Sequence, residues 1–158
     1  MNLKPQIDAL TELSVLMELP PGVFENEIIP LLIRYAKRLK RSHFFVWESS
    51  ASGQWIIFRL QNVRNPRLEK TFLYAFSTEQ DAKNHPDFDP SDSRVVQVPV
   101  LQLLFESVVF EGLDSFIFYP YPKNYKNNIE LSRRELLEAI QALLPSVVVG
   151  QNILYPIA

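Results

Sequence analysis

Few residues in this chain are of types that could do chemistry, and their spacing decides how far each can be taken. His43 and His85 are 42 positions apart, and neither belongs to a His-Glu-x-x-His or similar ligand pair, so no zinc site is read from them. His85 precedes Pro86 in an acidic stretch and reads as a surface turn residue. Asp87, Asp89 and Asp92 would offer oxygen ligands to a divalent cation. Their loop lacks the central glycine and terminal glutamate of a calcium-binding helix–loop–helix, so a solvated turn is the expectation. Glu135 and Glu138 share one helical face, as a general acid/base pair would require. Glu135 also completes a capping pattern with Ser132, and Glu138 is expected to face water. No Gly-x-Ser-x-Gly elbow is present. The four glycines, Gly22, Gly53, Gly112 and Gly150, are too far apart for a phosphate-cradling loop. The absence of cysteine excludes disulfides, thiolate metal sites and cysteine nucleophiles. No catalytic, cofactor-binding or metal-ligating residue is assigned.

Two binding surfaces stand out instead. Charge is segregated along the chain: residues 1–33 carry a net −4, residues 34–70 a net +7 and residues 71–158 a net −5. Within the basic segment, Arg34, Lys37, Arg38 and Arg41 fall on one side of a helix, with Lys40, Arg64, Arg67 and Lys70 near them in sequence. Such a face would attract an acidic partner across about a Debye length. A sequence pI near 5.7 argues against nucleic acid. The second surface is the loop bearing Tyr119, Tyr121 and Tyr125 among prolines, asparagines and lysines. Tyrosine combines apolar area with a polar tip and suits protein interfaces, although such rings also roof cores.

The elements that position these residues follow from periodicity. Leu3, Ile7, Leu10 and Met17 mark a first helix ending at Pro20-Pro21-Gly22. Ile28, Leu32, Tyr35 and Leu39 mark a second, starting near Asn26 with Pro30 close to its first turn. Strands are predicted over 43–48 and 55–63 as an antiparallel hairpin, then over 71–76, 94–98 and 115–119. A short helix capped by Ser77, with Gln80 reaching back, ends by His85. A helix after Pro99 carries Leu101, Leu104, Phe105 and Val108, and Gly112 is read as its left-handed stop. The last helix opens at Ser132, turns Leu136, Ile140 and Leu143/Leu144 inward and ends before Pro145; an apolar tail follows at 147–149 and 153–155. Phe76, Leu101, Leu104, Phe105, Phe116, Phe118, Leu136 and Ile140 are predicted to share one core. The fold class is α/β or α+β: a mainly antiparallel sheet covered by helices and preceded by a two-helix amino-terminal segment.

Ala75-Phe76-Ser77-Thr78-Glu79, Val96-Gln97-Val98-Pro99 before a leucine-rich helix, Gly112-Leu113-Asp114 before an apolar strand, and the Leu131-Ser132 helix start occur in an order that resembles the amino-terminal domain of the SseB family. The likeness covers roughly residues 43–144. Tyr119-Pro120-Tyr121 departs from the Asn-Pro-Gly that the family usually has there. The resemblance implies a sheet-and-helix core and an accessory or interaction role.

With 158 residues, 47% of them apolar and 12% aromatic, the chain can bury one core, so a single domain is expected, with residues 1–41 as a helical extension and 42–158 as the SseB-like part. No basic leader or apolar span is evident, which predicts a cytoplasmic address. The functional expectation is a noncatalytic protein-interaction or regulatory module without cofactor. The alternatives are an enzyme lacking a familiar motif and a sensor of a small anionic ligand.

Overall fold

A computed structural model describes residues 1–15, 19 and 22–143. Among them the chain forms α1 (Lys4–Ser14), a π-helical turn (Phe24–Ile28) running into α2 (Ile29–Leu39), β1 (His43–Ser49), β2 (Phe58–Gln61) and β3 (Glu69–Phe76). Then come α3 (Glu79–Asn84), β4 (Ser93–Pro99), α4 (Val100–Val109), β5 (Ser115–Tyr119), β6 (Ile129–Ser132) and α5 (Arg133–Leu143). The strands make one sheet in the order β4-β1-β3-β5-β6, and β2 pairs with β3. Every pairing is antiparallel except β3 with β5, which α3, β4 and α4 connect. The class is α+β with a mostly antiparallel sheet.

Strand alternation sends side chains to two faces. Phe44, Val46, Leu73, Ala75, Val98, Phe116, Phe118 and Leu131 project to one, where α2, α4 and α5 cover them with Leu32, Leu39, Leu101, Leu104, Leu136 and Ile140. Leu3 and Leu10 of α1 join the same cluster. The opposite face carries Phe45, Trp47, Tyr74, Phe76, Ile117 and Tyr119, with Phe58 of β2 and Phe88 packed beside them.

Phe76 therefore departs from the expected core. It lies two residues from Tyr74 and one from Ala75, and a period of two places it on the face opposite Leu104 and Phe118. Phe105 is half-buried at the edge of the first core, where its ring meets Phe24 edge-on. The other six predicted positions pack together as expected.

Local chemistry explains the remaining differences. Pro30 has no N–H for the Asn26 carbonyl, and its ring crowds that oxygen; the turn before it widens, and the Ile29 N–H reaches Phe24 instead. Thr78, not Ser77, caps α3 by accepting the Asp81 N–H at 3.1 Å, and Gln80 turns to Asn84. Gly112 does not take a left-handed conformation; α4 closes with the Phe110 N–H on the Glu106 carbonyl. The predicted 43–48/55–63 hairpin shrinks to a bridge between Glu48 and Trp55, because the chain leaves β1 to pair β2 with β3. Residues 129–132, read as loop and helix start, add the edge strand β6. Met17, Pro20-Pro21, Leu144, Pro145 and the apolar tail lie outside the described residues.

Candidate functional site

α2 buries Leu31, Leu32, Ala36 and Leu39, which turns Arg34, Lys37 and Arg38 to the other side of the helix; Arg41, expected on the same face, lies beyond it, because Lys40 ends α2 at a left-handed φ of 65°. The four then divide into two pairs. Arg34 and Lys37 are exposed and form no ion pair among the described residues. Arg38 lies 3.8 Å from the Glu135 carboxylate on α5, with its guanidinium carbon 5.3 Å from the Tyr35 ring centroid. Burial, then the Glu135 carboxylate, raises the Tyr35 phenol. Arg41 donates from Nε to the Pro120 carbonyl at 3.1 Å. This bond spans 79 positions and brings the two surfaces read from the sequence into contact.

Three ties hold the tyrosine loop. Besides Arg41, the Lys123 N–H donates to the buried Asp81 carboxylate at 2.9 Å, with Lys123 at a left-handed φ of 60°. The Tyr125 hydroxyl donates to the Asp81 carbonyl at 2.7 Å. Tyr119 is buried and stacks on Phe76, centroids 5.3 Å apart and planes within 8°. The loop is thus preorganised, and Tyr121 is the tyrosine left outside these ties, 43% exposed. Lys123 and Lys126 add positive charge, and residues 120–128 contain no acid.

Of the other cations of the basic segment, Lys40 caps α2, and Arg59, Arg64, Arg67 and Lys70 sit on the β2–β3 hairpin. Arg59 lies 3.5 Å from Glu69, and Lys70 pairs with Glu130 on β6, whose carboxyl that bond holds below its usual range. The segment's charge is shared between two elements rather than gathered on one.

His85 is not a surface turn residue. Its side chain is only 12% exposed, and the rings of Tyr74, Phe76, Trp47 and Tyr125 lie 4.7, 5.4, 5.5 and 5.5 Å from it. Nδ1 accepts the Asp87 N–H at 3.1 Å, so the neutral ring carries its proton on Nε2. Burial lowers the His85 pKa, against a smaller pull from the Asp87 carboxylate. The Tyr74 phenol, donating to that carboxylate at 3.3 Å, is pushed up to about 12, first by burial and then by Asp87. The cluster favours a neutral imidazole and a protonated phenol, a packing arrangement rather than an activated nucleophile.

The acidic candidates also have local partners. Asp89 accepts the N–H and O–H of Ser91, which lowers its carboxyl pKa, and Asp92 accepts the Ser93 hydroxyl at 2.8 Å. Among the described residues no group of three or more His, Cys, Asp or Glu is placed to hold a metal ion. The Glu135 N–H donates to Ser132 Oγ at 3.0 Å, while the Glu135 carboxylate lies beside Arg38 and that of Glu138 pairs with Arg134, so these two carboxylates do not converge. No described helix is long and apolar enough to cross a membrane.

Sequence reasoning missed the Asp81 hub because a short-helix aspartate looks like a solvated first-turn acid. It also missed a cavity beside α4, whose walls come from segments without a shared motif. No family model, curated protein or solved structure matches this chain.

Proposed function

We propose that the chain is a noncatalytic, cytoplasmic protein-interaction or regulatory module, resembling the SseB amino-terminal domain, that docks an acidic protein partner. The observation that carries this reading is the Arg41–Pro120 hydrogen bond. It joins the α2 face to the tyrosine loop, so that Arg34, Lys37 and Tyr121 can act on one partner. Arg34 and Lys37 supply steering charge, and Tyr121 supplies an aromatic contact on a loop whose ordering is complete before binding.

A photoreactive residue at position 121 tests the reading in the native cell. It should cross-link one acidic protein, and Arg34→Gln with Lys37→Gln should reduce the yield severalfold, as should raising the salt. Undiminished cross-linking of the same protein by the double variant at low salt would refute the proposal. Arg38 and Arg41 are unsuitable for this test because each also supports the fold.

A further inference from the structure

A cavity of about 430 Å³ lies between α4 and the segment that leaves β1 toward β2. Buried Leu73 and Leu113 form its apolar base, and Trp55, Ile57, Glu106 and Phe110 contribute to its walls. The volume falls within the range of about 300–1,000 Å³ usual for small-ligand sites.

Two features show how the walls are built. Phe110 is 47% exposed, yet its ring lies against the Gly112 backbone, where an added Cβ would sit 2.9 Å from Cε1. The glycine needed no left-handed turn; what it provides is room for this ring. Among the described residues, Glu106 is the one ionisable residue lining the cavity. Gln102 Nε2 donates to its Oε1 at 3.1 Å, which orients the carboxylate, and Oε2 has no hydrogen-bond partner among the described residues.

Two aromatic residues, an apolar base and one carboxylate without a cationic partner suit an organic monocation: ring quadrupoles attract the charge and the carboxylate offsets it. A neutral ligand would leave Glu106 uncompensated, and an anion would be repelled. We infer that the cavity binds a small organic ammonium compound, with its apolar body on Leu73 and Leu113 and its charged head beside Glu106. The site shares no residue with the α2 face or the tyrosine loop, so it stands or falls independently of the interaction reading.

Phenethylammonium is a suitable probe, titrated into the isotope-labelled full chain and followed by amide chemical shifts. Saturable shifts should centre on Gln54, Trp55 and Leu113. Glu106→Gln should weaken binding by about three- to tenfold, and Phe110→Ala by a similar factor, consistent with one partly exposed ion pair or cation–π contact. Should Phe110→Ala perturb the fold, Ile57→Ala alters the same wall at another exposed position. The neutral analogue 2-phenylethanol should bind more weakly than the ammonium probe, and phenylacetate more weakly still. Equal binding of the ammonium probe and the alcohol, unchanged affinity in Glu106→Gln, or no saturable shift at the cavity would each overturn the assignment.

Discussion

Replacing Trp47 with Phe removes an indole N–H from the centre of the second sheet face. That N–H donates to the Ala82 carbonyl at 3.0 Å, and α3 has only six residues. Ala82 is among its last four, whose carbonyls have no partner within a helix, so the indole supplies a bond that the helix cannot supply itself. Both residues are buried, and leaving a buried acceptor unmet costs about 1–3 kcal/mol. Trp47 also packs within 5.3–5.8 Å of Phe58, Tyr74, Phe76, His85 and Phe88, so Trp47→Ala should cost more, about 3–5 kcal/mol. For a chain of this size each kcal/mol lowers Tm by about 2–4 °C. Urea unfolding followed by circular dichroism gives the global loss, and amide exchange at residues 79–84 gives the local one. Trp47→Phe should speed exchange in α3 more than in β5, because α3 depends on this bond and β5 is packed on both faces. A variant with unchanged unfolding midpoint and unchanged α3 exchange would show that the indole bond holds nothing in place.

Other consequences can be checked with the same assays. The folded-state pKa of His85 lies below its ordinary 6.5, so above that pH both states are neutral and stability is full. As pH falls below 6.5 the unfolded chain takes up the proton first and stability declines; His85→Phe should flatten this decline in urea midpoints measured from about pH 7.5 to 5.5. Tyr125→Phe deletes the hydroxyl bond to the Asp81 carbonyl and should cost about 1 kcal/mol in urea unfolding. Gly112→Ala should cost less than about 1 kcal/mol, since the atom it meets is the far end of an exposed ring, while shifting the Trp55 indole resonance as Phe110 moves. Arg34→Gln with Lys37→Gln should leave the unfolding midpoint within about 0.5 kcal/mol of wild type, whereas Arg41→Gln should lower it.

Much of this fold was legible because its signals are local. Strand positions 115–119 and the apolar stripe Leu101, Leu104, Val108 depend on periodicity that neighbouring residues carry, and both emerged as read. Ser132 capping α5 is equally local. The misreadings share a different cause. Phe76 was assigned to the helix-covered core because a large ring at a strand end looks the same whichever face it joins; only the register Phe45↔Phe76 settles the face. β6 was missed because its four residues pair with β5 across the 120–128 loop, and nothing within Ile129–Ser132 announces an edge strand. His85 was misjudged for the same reason: the rings around it come from β1, β3, β5 and the tyrosine loop. The basic helix face was visible as spacing, but the division between its bonded and unbonded members depends on residues 79 and 97 positions away.

That division has a physical logic. Arg34 and Arg38 are like charges four apart on α2 and repel each other by a few tenths of a kcal/mol, and Lys37 and Arg41 form a second pair of like charges at the end of the helix, Arg41 lying just past the left-handed Lys40 cap. The fold relieves one member of each pair, placing Glu135 beside Arg38 and the Pro120 carbonyl against Arg41. Nothing among the described residues relieves Arg34 or Lys37. Folding would be served as well by glutamine at either position, since exposed positive charges add no packing and repel their neighbours. An acidic partner would supply the missing compensation, and it would do so beside a tyrosine loop that Asp81 and Arg41 have already fixed. Charge left uncompensated on a helix whose end Arg41 ties to an ordered aromatic loop is an arrangement from which binding, rather than folding, would gain.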